Sequence, residues 1–281
     1  MKYGINTFLW TASFNESNLD LLPRIKTMGF DGVELARFSF ADCPPAPIRR
    51  ALEENALECT FCTALTGQLS LANEHAPAAL TFLRDAIHWA AEVGAQTVAG
   101  PFCSAVGYLP GRRRTEDEWK RAMDGLRSLT PVLEETGVTL AVEPLNRFET
   151  FFLNTGADAR ELCDAVDHPQ VGVLFDTFHA NIEEKSIRSA LVKIGPHLKH
   201  VHTCENDRGA PGSGHVAWPE LFDSLGRLHY DGWLVIESFG SRVPEIATAA
   251  CIWRDLASSP EALAEEGLKF LKRSHARAAE V

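Results

Sequence analysis

The sequence predicts a (β/α)8 barrel, and three observations carry that reading. Short apolar runs recur eight times along the 281 residues. Amphipathic stretches of helical period separate them, and no low-complexity linker or shift of composition divides the chain. Eight units in this length allow about 35 residues each, the economy of a barrel of the roughly 250-residue class. Hydrophobic residues at 45% and charged residues at 23% are ordinary globular values, which excludes a disordered or fibrous chain. A single domain over residues 1–281 is therefore expected.

Taken in order, the first run is Tyr3–Leu9. No Gly-x-Gly-x-x-Gly follows it, so the competing open dinucleotide-binding sheet has no support. Gly32–Ala36 and Leu57–Leu65 are the second and third strands. A helix is expected over Ala76–Gly94, where Leu80, Leu83, Ile87 and Ala91 recur at three and four residues and Gly94 supplies a left-handed end. Thr97–Phe102 follows as a strand. Thr115-Glu116-Asp117-Glu118 has the threonine and glutamate of a capping box, and Gly137 stops the chain before the strand Thr139–Leu145. Val171–Thr177, Leu198–Glu205 and Gly232–Phe239 complete the eight. Their valines, leucines and aromatics suit strands buried on both faces. Pro260–Ala278 reads as an additional C-terminal helix.

A net charge of −11 repels phosphate backbones, so no nucleic-acid partner is expected. No apolar run approaches the roughly 18 residues of a membrane span. Met1–Asn6 lacks the basic and apolar pattern of a secretion signal. Seven cysteines, an odd and scattered number, point to free thiols in a reducing cytoplasm.

Barrel chemistry lies at the C-terminal ends of the strands. The last four runs end in Ala-Val-Glu143-Pro, Leu-Phe-Asp176-Thr, His-Val-His202-Thr and Val-Ile-Glu237-Ser, with spacings of 33, 26 and 35 residues, one βα unit each. Adjacent strands thus bring two glutamates, an aspartate and a histidine to the barrel mouth. Three carboxylates buried together are strongly unfavourable without a cation. An oxygen-rich set with one imidazole favours Mn²⁺, Mg²⁺ or Co²⁺ over a structural zinc site, which prefers thiolates.

Other motifs are weaker. Cys59 and Cys62 have zinc-knuckle spacing, but three residues along a strand point to opposite faces, so they read as barrel-wall thiols. His200 lies one layer below His202 and reads as a packed core histidine. Arg112-Arg113-Arg114 reads as a solvated loop or subunit contact rather than an anion site. Gly209–Gly214 has the composition of a phosphate cradle but no lysine or helix start directly behind it. Glu34 is either a buried hydrogen-bonded acid or a pocket residue. Phe8, Trp10, Phe102 and Phe239 are candidates for an apolar wall, with ordinary packing as the alternative.

The stretches Glu143-Pro-Leu-Asn146-Arg147-Phe148-Glu149, Asp176–Glu184 and His202-Thr-Cys-Glu205-Asn-Asp-Arg208, followed by Pro-Gly-Ser-Gly, Glu237-Ser-Phe239 and Trp253-Arg254-Asp255-Leu256, resemble the ketose 3-epimerases, the D-tagatose and D-allulose 3-epimerase family. The resemblance is dense over residues 139–256 and thin before them. It implies one divalent metal ion per chain, manganese first and cobalt or magnesium next, held by Glu143, Asp176, His202 and Glu237. It implies that Glu143 and Glu237 are also the acid/base pair, and that Glu149, His179 and Arg208 hold the carbonyl end of a small sugar. The implied reaction is epimerisation at C3 of a free ketose by two-base proton exchange through a metal-bound enediolate, in a cytoplasmic homodimer or homotetramer. Cys204 stands where the family commonly has glycine and Ala180 where it has methionine, while Pro144 recurs in keto-glycoside epimerases. An epimerase of 3-keto-glycosides, an aldose–ketose isomerase and a non-enzymatic carbohydrate-binding barrel are the alternatives. Two retained glutamates argue against the last, because binding alone needs no proton carriers.

Overall fold

Strand alternation decides which side chains enter the barrel. The computed structural model describes residues 1–279. Eight parallel strands, β1 (Lys2–Asn6), β2 (Gly32–Ala36), β3 (Glu58–Cys62), β4 (Thr97–Gly100), β5 (Thr139–Val142), β6 (Val171–Asp176), β7 (Leu198–Thr203) and β8 (Trp233–Ile236), pair in sequence order, and β8 closes on β1. Ile5, Val33, Leu35, Phe61, Val98, Leu140, Val173, Val201 and Leu234 share one apolar core with the surrounding helices. Their strand neighbours face inward instead, where Ala99, Ala141 and Leu174 form a small separate cluster. By the same period of two, Glu34, Thr60, His200 and His202 also point into the barrel.

The helices are α1 (Leu21–Met28), α2 (Pro45–Glu54), α3 (Ala76–Val93), α4 (Glu116–Arg127), α5 (Thr130–Thr136), α6 (Gly156–Val166), α7 (Thr177–Glu183), α8 (Ile187–Ile194), α9 (Trp218–Arg227), α10 (Pro244–Ala249) and α11 (Pro260–Ala279). Thr115 caps α4 as expected: its hydroxyl accepts the Glu118 N–H while the Glu118 carboxylate accepts the Thr115 N–H. Gly94 and Gly137 end α3 and α5 in the left-handed region, at φ +96° and +73°. The C-terminal helix α11 packs against α9 and β8. Among the described residues, no helix is long and apolar enough to cross a membrane.

All strands but β2 are shorter at their C-terminal ends than the apolar runs. The run Tyr3–Leu9 stops as a strand at Asn6, whose side chain accepts the Phe8 N–H and turns Thr7–Leu9 into a short 3-10 helix. At the end of β4, Gly100 adopts φ +147°, and a Cβ there would fall 1.9 Å from the Thr63 carbonyl oxygen, so only glycine lets these segments approach. The extra residues of these runs do not extend the ladder.

Candidate active site

Inward parity carries Glu143, Asp176, His202 and Glu237 to one place. Asp176 and His202 are register partners on β6 and β7, while Glu143 and Glu237 sit one residue past β5 and β8. Each offers a ligand-type atom within 4.8 Å of the others, and all four are buried. The Glu143 N–H donates to the Gly100 carbonyl at 2.9 Å and the Glu237 N–H to that of Thr203 at 3.2 Å, so backbone bonds aim both side chains. The expected quartet is therefore assembled.

Two of its donor atoms, His202 Nδ1 and Glu143 Oε1, are buried without a hydrogen-bond partner among the described residues. His202 Nδ1 faces Glu237 Oε2 at 3.2 Å. Buried polar atoms left without a good partner cost about 1–3 kcal/mol each, and a hard cation satisfies these two together. The residues present fit a divalent metal ion.

The carboxyl groups are held apart in character. Burial, then the neighbouring Glu237 charge, push Glu143 well above the usual carboxylate range. Burial would raise Glu237 too, but the His202 and Arg208 charges outweigh it and hold that group below the usual range. His202 is raised well above an ordinary imidazole: burial opposes its charge, and Glu237 and Glu34 on either side overcome burial.

Arg208, His179 and Glu149 line the cleft beside Glu143 and Glu237, as the resemblance implies. Arg208 Nη1 donates to Asp176 Oδ2 at 2.6 Å and Glu237 Oε2 at 3.0 Å, and its guanidinium lies between the Phe178 and Phe239 rings, 4.2 and 4.7 Å from their centroids. Its backbone is left-handed, φ +66°, and its carbonyl accepts the Phe239 N–H. Such a strained residue persists only where its surroundings over-determine it. His179 Nδ1 accepts the Asn146 backbone N–H at 3.0 Å, so Nε2 carries the ring proton. Burial and Arg208 push His179 down to about 3, so the ring is neutral. Arg208 Nη2 lies 3.0 Å from that Nε2. Both groups front the cleft, with Glu143 Oε1 3.6 Å from Nε2. Asn146 Nδ2 also donates to Glu149 Oε1, and burial raises that carboxyl.

The remaining motifs resolve individually. Cys59 packs in the outer core while Cys62 lines the cleft, its Sγ 3.9 Å from Glu237 Oε1, so the pair cannot share a metal. All seven cysteines are free thiols. The phosphate-cradle composition of Gly209–Gly214 has no cradle: Gly212 N–H and Val216 N–H donate to the buried Glu205 carboxylate, Gly209 N–H to Asp207 and His215 N–H to Asn206. Arg112 forks onto Glu118, and Arg114 stacks on Trp119. Of the aromatic wall, Phe8 and Phe239 line the cleft. Phe102 and Trp10 do not: the first is sealed in the outer core, and the second donates from its indole to Glu261. Trp253 is 74% exposed, and Arg254 pairs with Asp207. The first-half residues Phe38, Thr63 and Val106, with Ile246 of α10, complete the lining of the cleft. Sequence reading missed them because Phe38, Thr63 and Val106 lie on segments past the strands that carry no period. Glu34 proves to be a buried hydrogen-bonded acid.

A closed eight-stranded barrel with an acid-rich, metal-fitting mouth defines a class, and the family model described as xylose isomerase-like TIM barrel matches residues 22–274. A probable ketose 3-epimerase from Synechocystis sp. is 39% identical over 98% of this chain and 97% of its own length. A D-allulose 3-epimerase structure from Methylomonas sp. superposes with a TM-score of 0.93 at 25% identity, covering 98% of each chain. A 3-keto-D-glucoside 4-epimerase from E. coli reaches 0.80 at 29% identity over 97% of this chain and 99% of that one. The chain belongs to the ketose 3-epimerases of the xylose isomerase-like TIM-barrel family, carbohydrate epimerases of the isomerase class. The aligned similarity extends over the first half of the chain as well as the second.

Proposed function

We propose that the chain, as one barrel domain, epimerises a free ketose of the D-tagatose, D-allulose or D-fructose kind at C3, using a divalent metal ion held by Glu143, Asp176, His202 and Glu237. The observation that carries this reading is the gathering of ligand-type atoms of Glu143, Asp176, His202 and Glu237 within 4.8 Å of one another, beside a cleft lined by Glu143, Glu237, Arg208 and His179. When bound, the metal supplies Lewis-acid charge beside the substrate oxygens, worth several kcal/mol to a developing anion. Glu143 and Glu237 serve as the two proton carriers, one removing the C3 proton and the other returning one to the opposite face, with the roles exchanged in the reverse reaction. Arg208 and the His179 Nε2–H donate to the oxygen where negative charge grows as the C3 proton leaves. Glu149 takes a hydroxyl at the same end.

The rest of the cleft supports an unphosphorylated substrate. Phe8, Phe38, Val106, Phe239 and Ile246 are apolar, and Arg208, already engaged by two carboxylates, is the one cation among the described lining residues. Free thiols support a cytoplasmic enzyme, and family membership a homodimer or homotetramer with manganese as the preferred metal and cobalt or magnesium as substitutes. Likeness to the 3-keto-D-glucoside 4-epimerase, with Pro144 after Glu143, favours a keto-glycoside substrate as the second reading.

Incubation with Mn²⁺ and a panel of ketoses, aldoses and keto-glycosides, followed by product separation, tests the proposal. Ketoses are expected to yield their C3 epimers. Conversion confined to keto-glycosides establishes the second reading, and no conversion by folded, metal-loaded protein leaves a carbohydrate-binding barrel.

Arg208→Ala is expected to lower kcat/KM by about ten- to a thousandfold, from about one to four kcal/mol of lost charged hydrogen bonding. Metal content should stay near one ion per chain. Wild-type kinetics in the variant would remove Arg208 from the substrate clamp.

A further inference from the structure

Below the quartet lies a polar cluster that proton exchange does not use. The register sets Asn6, Glu34 and Thr60 side by side on β1, β2 and β3, facing His200 and His202 of β7 across the barrel. All five are buried, and Glu34 has no exposure. A carboxylate in the middle of a barrel needs a reason, since its desolvation is expensive.

Hydrogen-bond direction supplies one. Asn6 Oδ1 accepts the Phe8 N–H at 2.9 Å, which identifies its other atom as the amide nitrogen, and that nitrogen donates to Glu34 Oε1 at 2.9 Å. Thr60 Oγ1 donates to Glu34 Oε2 at 2.9 Å. Both oxygens of Glu34 therefore act as acceptors. His202 Nε2, 2.7 Å from Oε1, must be the donor in that contact, so Nε2 carries a ring proton and Nδ1 is the atom turned toward Glu143, Asp176 and Glu237. His200 Nε2 approaches Oε2 at 2.8 Å, and its ring packs edge-on to His202, 5.2 Å between centroids at 76°.

We infer that Glu34 is a positioning residue that fixes the tautomer and orientation of His202 so that Nδ1 is presented to the metal ion. Glu34, His200 and His202 could themselves be read as a second cation site, since their donor atoms also lie within 4.8 Å of one another. Asn6 and Thr60 already place hydrogens on both carboxylate oxygens, which answers the charge without a second ion. A carboxylate behind a ligating histidine orients the ring and strengthens it as a ligand. The inference rests on the metal site proposed above.

Mn²⁺ titration of the metal-free protein, followed by the electron paramagnetic resonance of free Mn²⁺, tests it without reference to turnover. Glu34→Gln replaces one acceptor oxygen by a donor, so His202 or His200 must meet an N–H group. It is expected to weaken Mn²⁺ binding by about ten- to a hundredfold, the range typical for such partners. Thr60→Val disturbs the same cluster on the oxygen away from His202, and is expected to lower Tm while Mn²⁺ affinity stays within about twofold of wild type. Equal weakening in both variants would mean general loosening of the barrel and overturns the inference, as does wild-type affinity in Glu34→Gln. If Glu34→Gln does not fold, ¹⁵N NMR of Mg²⁺-saturated wild type decides, with the His202 signal identified by its loss in His202→Gln: a proton on Nε2 is expected, and a proton on Nδ1 overturns the inference. Wild-type protein that takes up no Mn²⁺ refutes the metal site itself, a separate outcome.

Discussion

Reaction in D₂O is expected to place solvent deuterium at C3 of the product ketose. An internal hydride shift, the route of an aldose–ketose isomerase, would carry the original hydrogen along instead. The expectation follows from the proposed two-base exchange by two buried carboxyl groups that line one cleft, Glu143 past β5 and Glu237 past β8. Glu143→Gln and Glu237→Gln each remove one proton carrier while keeping an oxygen that still reaches the metal ion. Each should lower kcat by about 10²- to 10⁴-fold, the usual worth of one positioned acid or base. Each variant should also exchange the C3 proton of one epimer only, and the two should choose opposite epimers, because each leaves its base on a different face. Metal content must be measured alongside, since both residues belong to the quartet. Rapid epimerisation in D₂O with no deuterium at C3 would sink the two-base proposal.

Exhaustive chelation should abolish activity and lower thermal stability, and Mn²⁺ should restore both. A ligand at about 100 times its Kd stabilises the native state by about 2.7 kcal/mol, which corresponds to a Tm rise of roughly 5–10 °C in a domain of this size. Asp176→Asn should weaken Mn²⁺ binding far more than it changes the circular dichroism of the fold. The affinity should also climb with pH. His202 is raised well above an ordinary imidazole in the metal-free site, so binding at Nδ1 displaces a proton, and a reaction that releases protons is favoured as pH rises. Full turnover by protein shown by elemental analysis to be metal-free would refute the metal requirement.

Much of this molecule is legible in one dimension. The period of two that buries Val33 and Leu35 outward sends Glu34 inward, and the same parity at strands five to eight marks Glu143, Asp176, His202 and Glu237 before any contact is known. Caps and stops are equally local: Thr115 with Glu118, Gly94 and Gly137 act where they stand in the chain. The apolar runs mislead at their C-terminal ends, because a residue that covers the mouth and one that extends a strand are equally hydrophobic. Phe102 and Trp10 illustrate the limit, since an aromatic residue near a strand end can face the cleft or the outer core.

By itself, the sequence determined the barrel, its eight units and the four ligand-type residues, because hydrophobic period, capping and spacing are properties of neighbours along the chain. Only the tertiary structure decided that Glu34 supports His202, that Arg208 and the His179 Nε2–H converge as donors, and that Glu205 absorbs the amides of the glycine-rich loop. Each of these depends on the direction of a hydrogen bond between residues 29 to 168 positions apart, or on a loop folding back upon its own acid. Direction of that kind is set by the closure of the barrel, which brings β2 opposite β7 and leaves no trace in the local pattern of either strand.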